Sequence, residues 1–445
     1  MLSFIHIFNL LLSVFITVAF AYQGVFMLIG FLRRRRARLY DAPQAKELRR
    51  YAAVISARNE EAVIGELIAS LREQDYPQEL LDIYVVADNC TDKTASCARL
   101  AGATVYERFN TEQVGKGYAL DYLFSRLRSA GLDQNYAGYF VFDADNLVDR
   151  NFVREMNNTA CSGDFAAITS YRNSKNFGSN WISAGYSLWF LREARFLNFP
   201  RMLVGSNCTI SGTGFQISAD IIRENGGWPF HLLTEDLQFS ADCTSDGKRI
   251  GYCDKAVIYD EQPVEFRQSW DQRLRWTKGF YQVAWHYAPQ LIRGMGRGGK
   301  KLLSCYDILM VVAPGSLLTV SLLLVNLLVA LSCFTQPGYL VDDIVLTEFR
   351  FLVTNLITYY FGFMAMGAVT VYCEWDNIYA TKVQKLGYLF TFPLFMMTYV
   401  PIAVVALRRK VEWKPIQHHA SGTVMKTAQR KASRSSLQTL LDRSA

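Results

Sequence analysis

Tyr139-Phe140-Val141-Phe142 is an uncharged apolar run that breaks into Asp143-Ala144-Asp145. It reads as a short buried strand whose end carries two carboxylates. Three similar runs precede it: Tyr51–Ser56, Ile83–Ala87 and Thr104–Tyr106. Helical patterns lie between them, over Glu61–Arg72, Lys93–Ala101 and Tyr118–Ser129. Strands alternating with helices predict an α/β domain over residues 50–262, built on a largely parallel sheet. Such sheets bind ligands beyond the C-terminal ends of their strands. The polar clusters fall there. Ser56-Ala57-Arg58-Asn59-Glu60-Glu61 follows the first run, and Asp88-Asn89-Cys90-Thr91-Asp92 follows the second.

Two residues apart on an extended segment point the same way, so Asp143 and Asp145 can share a divalent cation. Mg2+ takes one or two carboxylates and leaves the rest of its shell to phosphate and water. A solvated turn including Asn146 and Asp149 is the plainer alternative. Glu60 and Asp88 can accept from a nucleobase or ribose, while Asn59, Thr91 and Asp92 also suit helix caps. Gly115-Lys116-Gly117 opens a helix where Lys116 can reach a phosphate, without the spacing of a Walker loop. Gly212-Thr213-Gly214 is a tight spot that faces an acceptor or simply turns the chain. In Thr234-Glu235-Asp236, Asp236 is the candidate general base and Glu235 the second choice. The same pair would also suit the positive end of a helix dipole.

Gln272-Arg273-Leu274-Arg275-Trp276 follows about 35 residues later. A helix puts Gln272, Arg275 and Trp276 on one face. That face offers an amide, a cation able to fork onto phosphate, and a flat ring. Diphosphate leaving groups and sugar rings need that combination. A membrane-interface aromatic beside a lipid-phosphate partner is the alternative.

The 445 residues are 51% hydrophobic with a mean hydropathy of +0.07, which predicts membrane segments. Phe8–Leu32 is long enough to span, and Arg33–Arg36 with Arg38 follow it. Residues 1–33 therefore read as an anchor with its N-terminus outside, and the next domain as cytoplasmic at the plasma (inner) membrane. Residues 263–303 read as interfacial amphipathic helices. Residues 304–410 hold further spans at Ile308–Phe334, Phe351–Tyr372 and Leu386–Leu407, and 411–445 form a basic disordered tail. Four crossings put the C-terminus outside, yet Arg408-Arg409-Lys410 prefers inside, so one segment is expected to be re-entrant or interfacial. Pro314, Pro393 and Pro401 mark possible breaks. The +7 charge sits largely at membrane edges, which favours lipid over nucleic acid. Nine cysteines without a CxxC pair read as reduced, buried thiols, and five histidines show no zinc spacing.

Taken in order, these motifs resemble the membrane-integrated members of family 2 of the inverting glycosyltransferases, which include cellulose, hyaluronan, chitin-oligosaccharide and poly-N-acetylglucosamine synthases. The resemblance covers roughly residues 50–290. It implies a GT-A fold, a UDP-sugar donor, Mg2+ or Mn2+, and a glycan or lipid-linked acceptor. By position, Asp143 and Asp145 would hold the metal and UDP. Asp88 and Glu60 would hold the nucleoside, and Lys116 a phosphate. Asp236 would be the base, and Gln272, Arg275 and Trp276 would clamp the diphosphate and stack on the acceptor. Gly212, Thr213, Gly214 and Glu235 would border that acceptor. The motif favours chain elongation over glycosylation of a membrane lipid. A non-catalytic scaffold or transporter would be expected to lack the carboxylates. Asp88-Asn89-Cys90 departs from the usual Asp-Asp or Asp-Gly-Ser element, which softens the nucleoside assignment. The C-terminal membrane part is smaller than in hyaluronan or cellulose synthases, so an export partner is expected rather than a built-in channel.

Overall fold

The computed structural model describes residues 2–33, 42–312, 314–335 and 338–411. The arginines at 34–36 and 38, and the expected tail beyond residue 411, lie outside the described residues. Eight strands form one sheet in the order β3-β2-β1-β4-β7-β6-β8-β5. Its first half is β1 (Tyr51–Ala57), β2 (Leu81–Asp88), β3 (Thr104–Arg108) and β4 (Gly138–Asp143), all parallel. Helices α2 (Ile64–Arg72), α3 (Thr94–Leu100) and α4 (Lys116–Ser129) connect them, as the alternation predicts. Val54, Ile55, Val85, Phe140 and Phe142 are wholly buried, each contributing roughly 2 kcal/mol of apolar transfer.

The second half is mixed rather than parallel. It holds β5 (Leu147–Val148), β6 (Ala167–Ser174), β7 (Phe215–Ser218) and β8 (Ile250–Asp260). β7 runs antiparallel to β4 and β6, β5 runs antiparallel to β8, and only β6 and β8 are parallel. The two short strands have four and two residues, too few to carry a readable alternation. α4 starts two residues before its apolar pattern, so Lys116 is its first residue. A Cβ on Gly117 would collide with the Phe230 carbonyl, which is why a glycine interrupts the pattern there. α2 begins three residues later than expected, after a turn over 61–63.

α5 (Phe152–Cys161), α6 (Trp181–Glu193), a π-helical turn (Ala194–Asn198), α7 (Phe199–Val204), α8 (Ala219–Glu224) and α9 (Glu235–Asp246) complete the domain. α10 (Phe266–Met295) is a single helix that runs through Pro289. Ile308–Phe334, expected as one span, falls on α11 (Gly299–Val312) and α12 (Pro314–Leu331), with residue 313 between them outside the described residues. α11 belongs to the catalytic side, because its buried Asp307 pairs with Arg201 at 2.6 and 2.8 Å. Asp307 also accepts from Tyr22 of α1 (Leu2–Leu32) at 2.9 Å.

Among the described residues, three helical stretches are long and apolar enough to cross a membrane: Phe4–Leu32, Val341–Cys373 and Lys382–Arg408. The second is most of α13 (Gly338–Cys373), and the third joins α14 (Lys382–Met397) to α15 (Tyr399–Arg408) through Thr398. Reciprocal amide bonds of 2.9 Å between Asn9 and Asn326 tie α1 to α12. The α13–α14 connection returns to the sheet. Glu374 accepts from Tyr171 at 2.6 Å, the Asn377 carbonyl accepts from Asn173 at 2.9 Å, and Gln384 donates to the Gly178 carbonyl at 2.9 Å. From there α14 packs along α6, where a Cβ on Gly185 would strike the Phe395 ring. Cys208, Cys243, Cys253 and Cys305 are buried free thiols, as composition suggested, whereas Cys90, Cys97, Cys161 and Cys373 are only half-buried.

Candidate active site

The ends of β1, β2 and β4 lie side by side. At the first two, Asn59 and Asn89 adopt positive φ (57° and 53°), which asparagine tolerates better than most residues. Asn59 does not cap a helix. Its Oδ1 accepts from the Thr91 amide at 2.8 Å, fastening the β1 loop to the β2 loop. Asp92 precedes the N-cap Lys93 and accepts from the Thr94 amide at 3.0 Å and the Glu61 amide at 3.1 Å, so it joins the two loops rather than capping the helix. Glu60 sits in this loop pair, its amide donating to Thr94 Oγ1 at 2.7 Å.

Asp88 is less free than the motif suggests. Arg108 donates to its Oδ1 at 2.6 Å, and both side chains are buried. Burial pushes its carboxyl up, against the pull of Arg108. Arg108 was missed in the sequence. The parallel register sets it directly opposite Asp88, so asking what neutralises a strand-end aspartate would have found it.

At β4 the extended-strand argument for Asp143 and Asp145 does not hold. The strand ends at Asp143, and Ala144-Asp145 forms a turn closed by the Asn146 amide on the Asp143 carbonyl (3.1 Å). The two carboxylates consequently differ. Asp143 is 40% exposed, whereas Asp145 is buried, accepting from the Asn146 side chain (3.2 Å) and the Glu261 amide (3.3 Å). Behind Asp145 lies the Arg172–Asp260 ion pair, also unforeseen.

The Gly-Thr-Gly turn is the floor under Asp143. Thr213 Oγ1 accepts the Asp143 amide (2.8 Å) and donates to Asn146. Gly212 takes φ +77°, and a Cβ there would sit 3.9 Å from Asp236 Oδ2 and 4.0 Å from Asp143 Oδ2. The turn, expected to border the acceptor, also links the two carboxylates. Lys116 pairs with Asp143 and donates to the Gly212 carbonyl (2.6 Å).

Glu235 and Asp236 form the first turn of α9. Burial raises both carboxyls, and Asp236 raises Glu235 further. The opposing positive charges are Lys116 and Arg275. α10 reaches this point because Gly279 lacks a side chain: a Cβ there would lie 2.5 Å from Thr234 Oγ1. One turn earlier, Arg275 faces Glu235, Asp143 and Asp236. Its burial lowers its pKa, and those carboxylates oppose the shift.

Trp276 meets Tyr186 and Phe190 edge-on, with centroids 5.7 and 6.1 Å away. The Gln272 Oε1 is buried without a hydrogen-bond partner among the described residues. Arg273, inside the same motif, was overlooked. It is wholly buried, donating to the Phe395 carbonyl (3.2 Å) and Thr398 Oγ1 (2.5 Å) with its guanidinium 4.3 Å from the Phe395 ring centroid.

Lys116, Asp143, Gly212, Glu235, Asp236 and Arg275 thus converge, while Asp88 and Glu60 stand at the neighbouring strand ends. Residues 49–279 match the family model described as glycosyltransferase like family 2. The chain belongs to that family. The match takes in every residue named above up to Trp276. Over 271 residues, 56% of this chain, it is 25% identical to a probable glycosyltransferase of Bacillus subtilis, covering 59% of that protein. A beta-monoglucosyldiacylglycerol synthase of Synechocystis is 26% identical over 52% of this chain and 47% of its own. A poly-beta-1,6-N-acetyl-D-glucosamine synthase of Staphylococcus epidermidis is 20% identical over 62% and 66%. The matches thus span about half the length of the first two relatives. Among solved structures, a Pyrobaculum calidifontis mannosyltransferase, in complex with GDP-Man and Mn2+, superposes at a TM-score of 0.51. It covers 89% of this chain and 99% of that one at 17% identity, a likeness of fold.

Proposed function

We propose that this glycosyltransferase moves a hexose or N-acetylhexosamine from a UDP-sugar, with inversion, onto a hydroxyl of a membrane-held glycan, and repeats the step to elongate it. The observation that carries the reading is the convergence of three carboxylates and two cations over Gly212. Asp236 takes the acceptor proton as the acceptor oxygen attacks the anomeric carbon, whose bond to the diphosphate breaks. Arg275 and Lys116 neutralise the departing phosphates. Asp88 and Glu60 orient the nucleoside. Gly212, Thr213, Gly214 and Glu235 shape the acceptor side of the cleft. Gln272 finds its missing partner on an acceptor hydroxyl or the diphosphate.

Asp143 and Asp145 suit Mg2+ or Mn2+ as a two-oxygen platform. Among the described residues no three His, Cys, Asp or Glu groups are arranged so that they could hold a metal ion by themselves, so the rest of the shell falls to phosphate and water. Such an ion supplies charge neutralisation on the diphosphate.

A single transfer onto a membrane lipid is the second reading. It is favoured by the edge-on aromatic packing that already occupies Trp276. Membranes incubated with a panel of labelled UDP-sugars separate the two. Elongation gives a ladder, which Trp276→Ala shortens as stacking of ~1 kcal/mol is lost. One sugar on a lipid, unchanged by Trp276→Ala, rejects elongation.

We also propose a topology at the plasma (inner) membrane. α1 enters from outside, α12 leaves and α13 returns, because the connection after α13 rests on the catalytic sheet. α14 and α15 then lie along α6 and α10 as the re-entrant or interfacial piece. Reporters at residues 45 and 409 should read cytoplasmic, and one inserted at 336–337 should read external. A cytoplasmic signal at 336–337 rejects this path. With so few crossings, export of a long product would use a separate partner.

A further inference from the structure

We propose that Lys116 is a latch on Asp143. Its ammonium and a divalent cation compete for the same carboxylate, and the donor diphosphate opens the site by drawing the lysine away. The proposal rests on the reading of Asp143 as a cation-holding carboxylate. Lys116 is the first residue of α4, and its backbone is held from the following residue, because Gly117 is pressed against the Phe230 carbonyl. From this fixed base its Nζ pairs with Asp143 Oδ1 and donates to the Gly212 carbonyl at 2.6 Å. The side chain is 14% exposed while Asp143 is 40% exposed, so a cation approaching from solvent meets the carboxylate with the lysine already behind it. The remaining carboxylate neighbours of the ammonium are Glu235 and Asp236. A divalent ion at Asp143 would stand within a few ångströms of the ammonium, a repulsion that is large in a partly desolvated cleft. A diphosphate removes the conflict, because it offers the lysine an alternative partner and supplies oxygens to the ion. Cation and nucleotide binding therefore reinforce each other, and the lysine sets how strongly.

The test is Mn2+ binding to the detergent-solubilised full-length protein, read from the spin-resonance signal of the free ion. Without nucleotide, Lys116→Met should bind Mn2+ about tenfold more tightly than wild type, and it should bind UDP more weakly. Arg275→Met also removes a charge near Asp143 but breaks no bond to it, so its effect on Mn2+ should be less than ~3-fold. Equal effects of the two, or none from Lys116→Met, overturn the latch. Asp143→Asn tells that failure from a failure of the broader reading. If it binds Mn2+ like wild type, Asp143 is not the cation's carboxylate and both ideas fall. A second measurement needs no variant. Acylation of Lys116 in wild-type protein, followed by mass spectrometry, should rise with Mn2+ alone and fall again on adding UDP. Unchanged labelling with Mn2+ overturns the proposal.

Discussion

Asp236→Asn should lower turnover by ~10²–10⁴-fold while UDP affinity stays near wild type. The asparagine keeps the shape and can still meet the amides at the start of α9, but it cannot take a proton. The pH profile supplies a second check. Burial raises the Asp236 and Glu235 carboxyls, and only an ionised carboxylate acts as a base. Activity should therefore fall as pH drops through a value above the ordinary carboxylate range. That limb belongs to the pair rather than to one residue. Asp236→Asn should remove it from whatever activity remains. If UDP affinity collapses instead, Asp236 holds the nucleotide side of the cleft and the base must be sought elsewhere.

The parallel half of the sheet was legible in the sequence because its strands are long apolar runs punctuated by helices. The antiparallel half was not. β7 has four residues, and its neighbours β4 and β6 lie far from it in sequence. The site divides in the same way. Asp143, Asp236 and Arg275 stood out because a carboxylate at a strand end, one at a helix start and a cation beside a tryptophan are visible as letters. What holds them was hidden in pairings. Arg108 answers Asp88 only through the β2–β3 register, and Arg172 answers Asp260 only through the β6–β8 region. Gly117 reads only as part of a helix-opening turn and Gly279 does not stand out, yet each permits a contact that aims a functional residue. Asp143 and Asp145 were grouped for a wrong reason, since the strand stops before the second. Their two environments make Asp143 the open carboxylate and Asp145 the supported one.

Arg275→Ala should cut transfer by about 10²–10³-fold and weaken UDP binding as well, in contrast to Asp236→Asn. Arg275 is one of two cations set against Asp143, Glu235 and Asp236. Without it, three carboxylates face the incoming diphosphate with one of their two main counter-charges removed, so both binding and leaving-group stabilisation suffer. Arg275→Lys should recover part of the charge but not the two-pronged contact. The internal control is Arg273, two positions earlier and so about 200° around α10. It faces Phe395 and Thr398 at the α14–α15 junction rather than the carboxylates. Arg273→Met should lower the melting temperature, because it loosens α10 from that junction, yet leave UDP affinity in the folded fraction near wild type. Melting temperature and UDP titration on both variants decide the matter. If Arg273→Met weakens UDP as much as Arg275→Ala does, the helix acts as one rigid support and Arg275 has no private role at the diphosphate. If the two separate, one turn of α10 serves two tasks on opposite faces, holding the membrane-side helices with one arginine and the leaving group with the other.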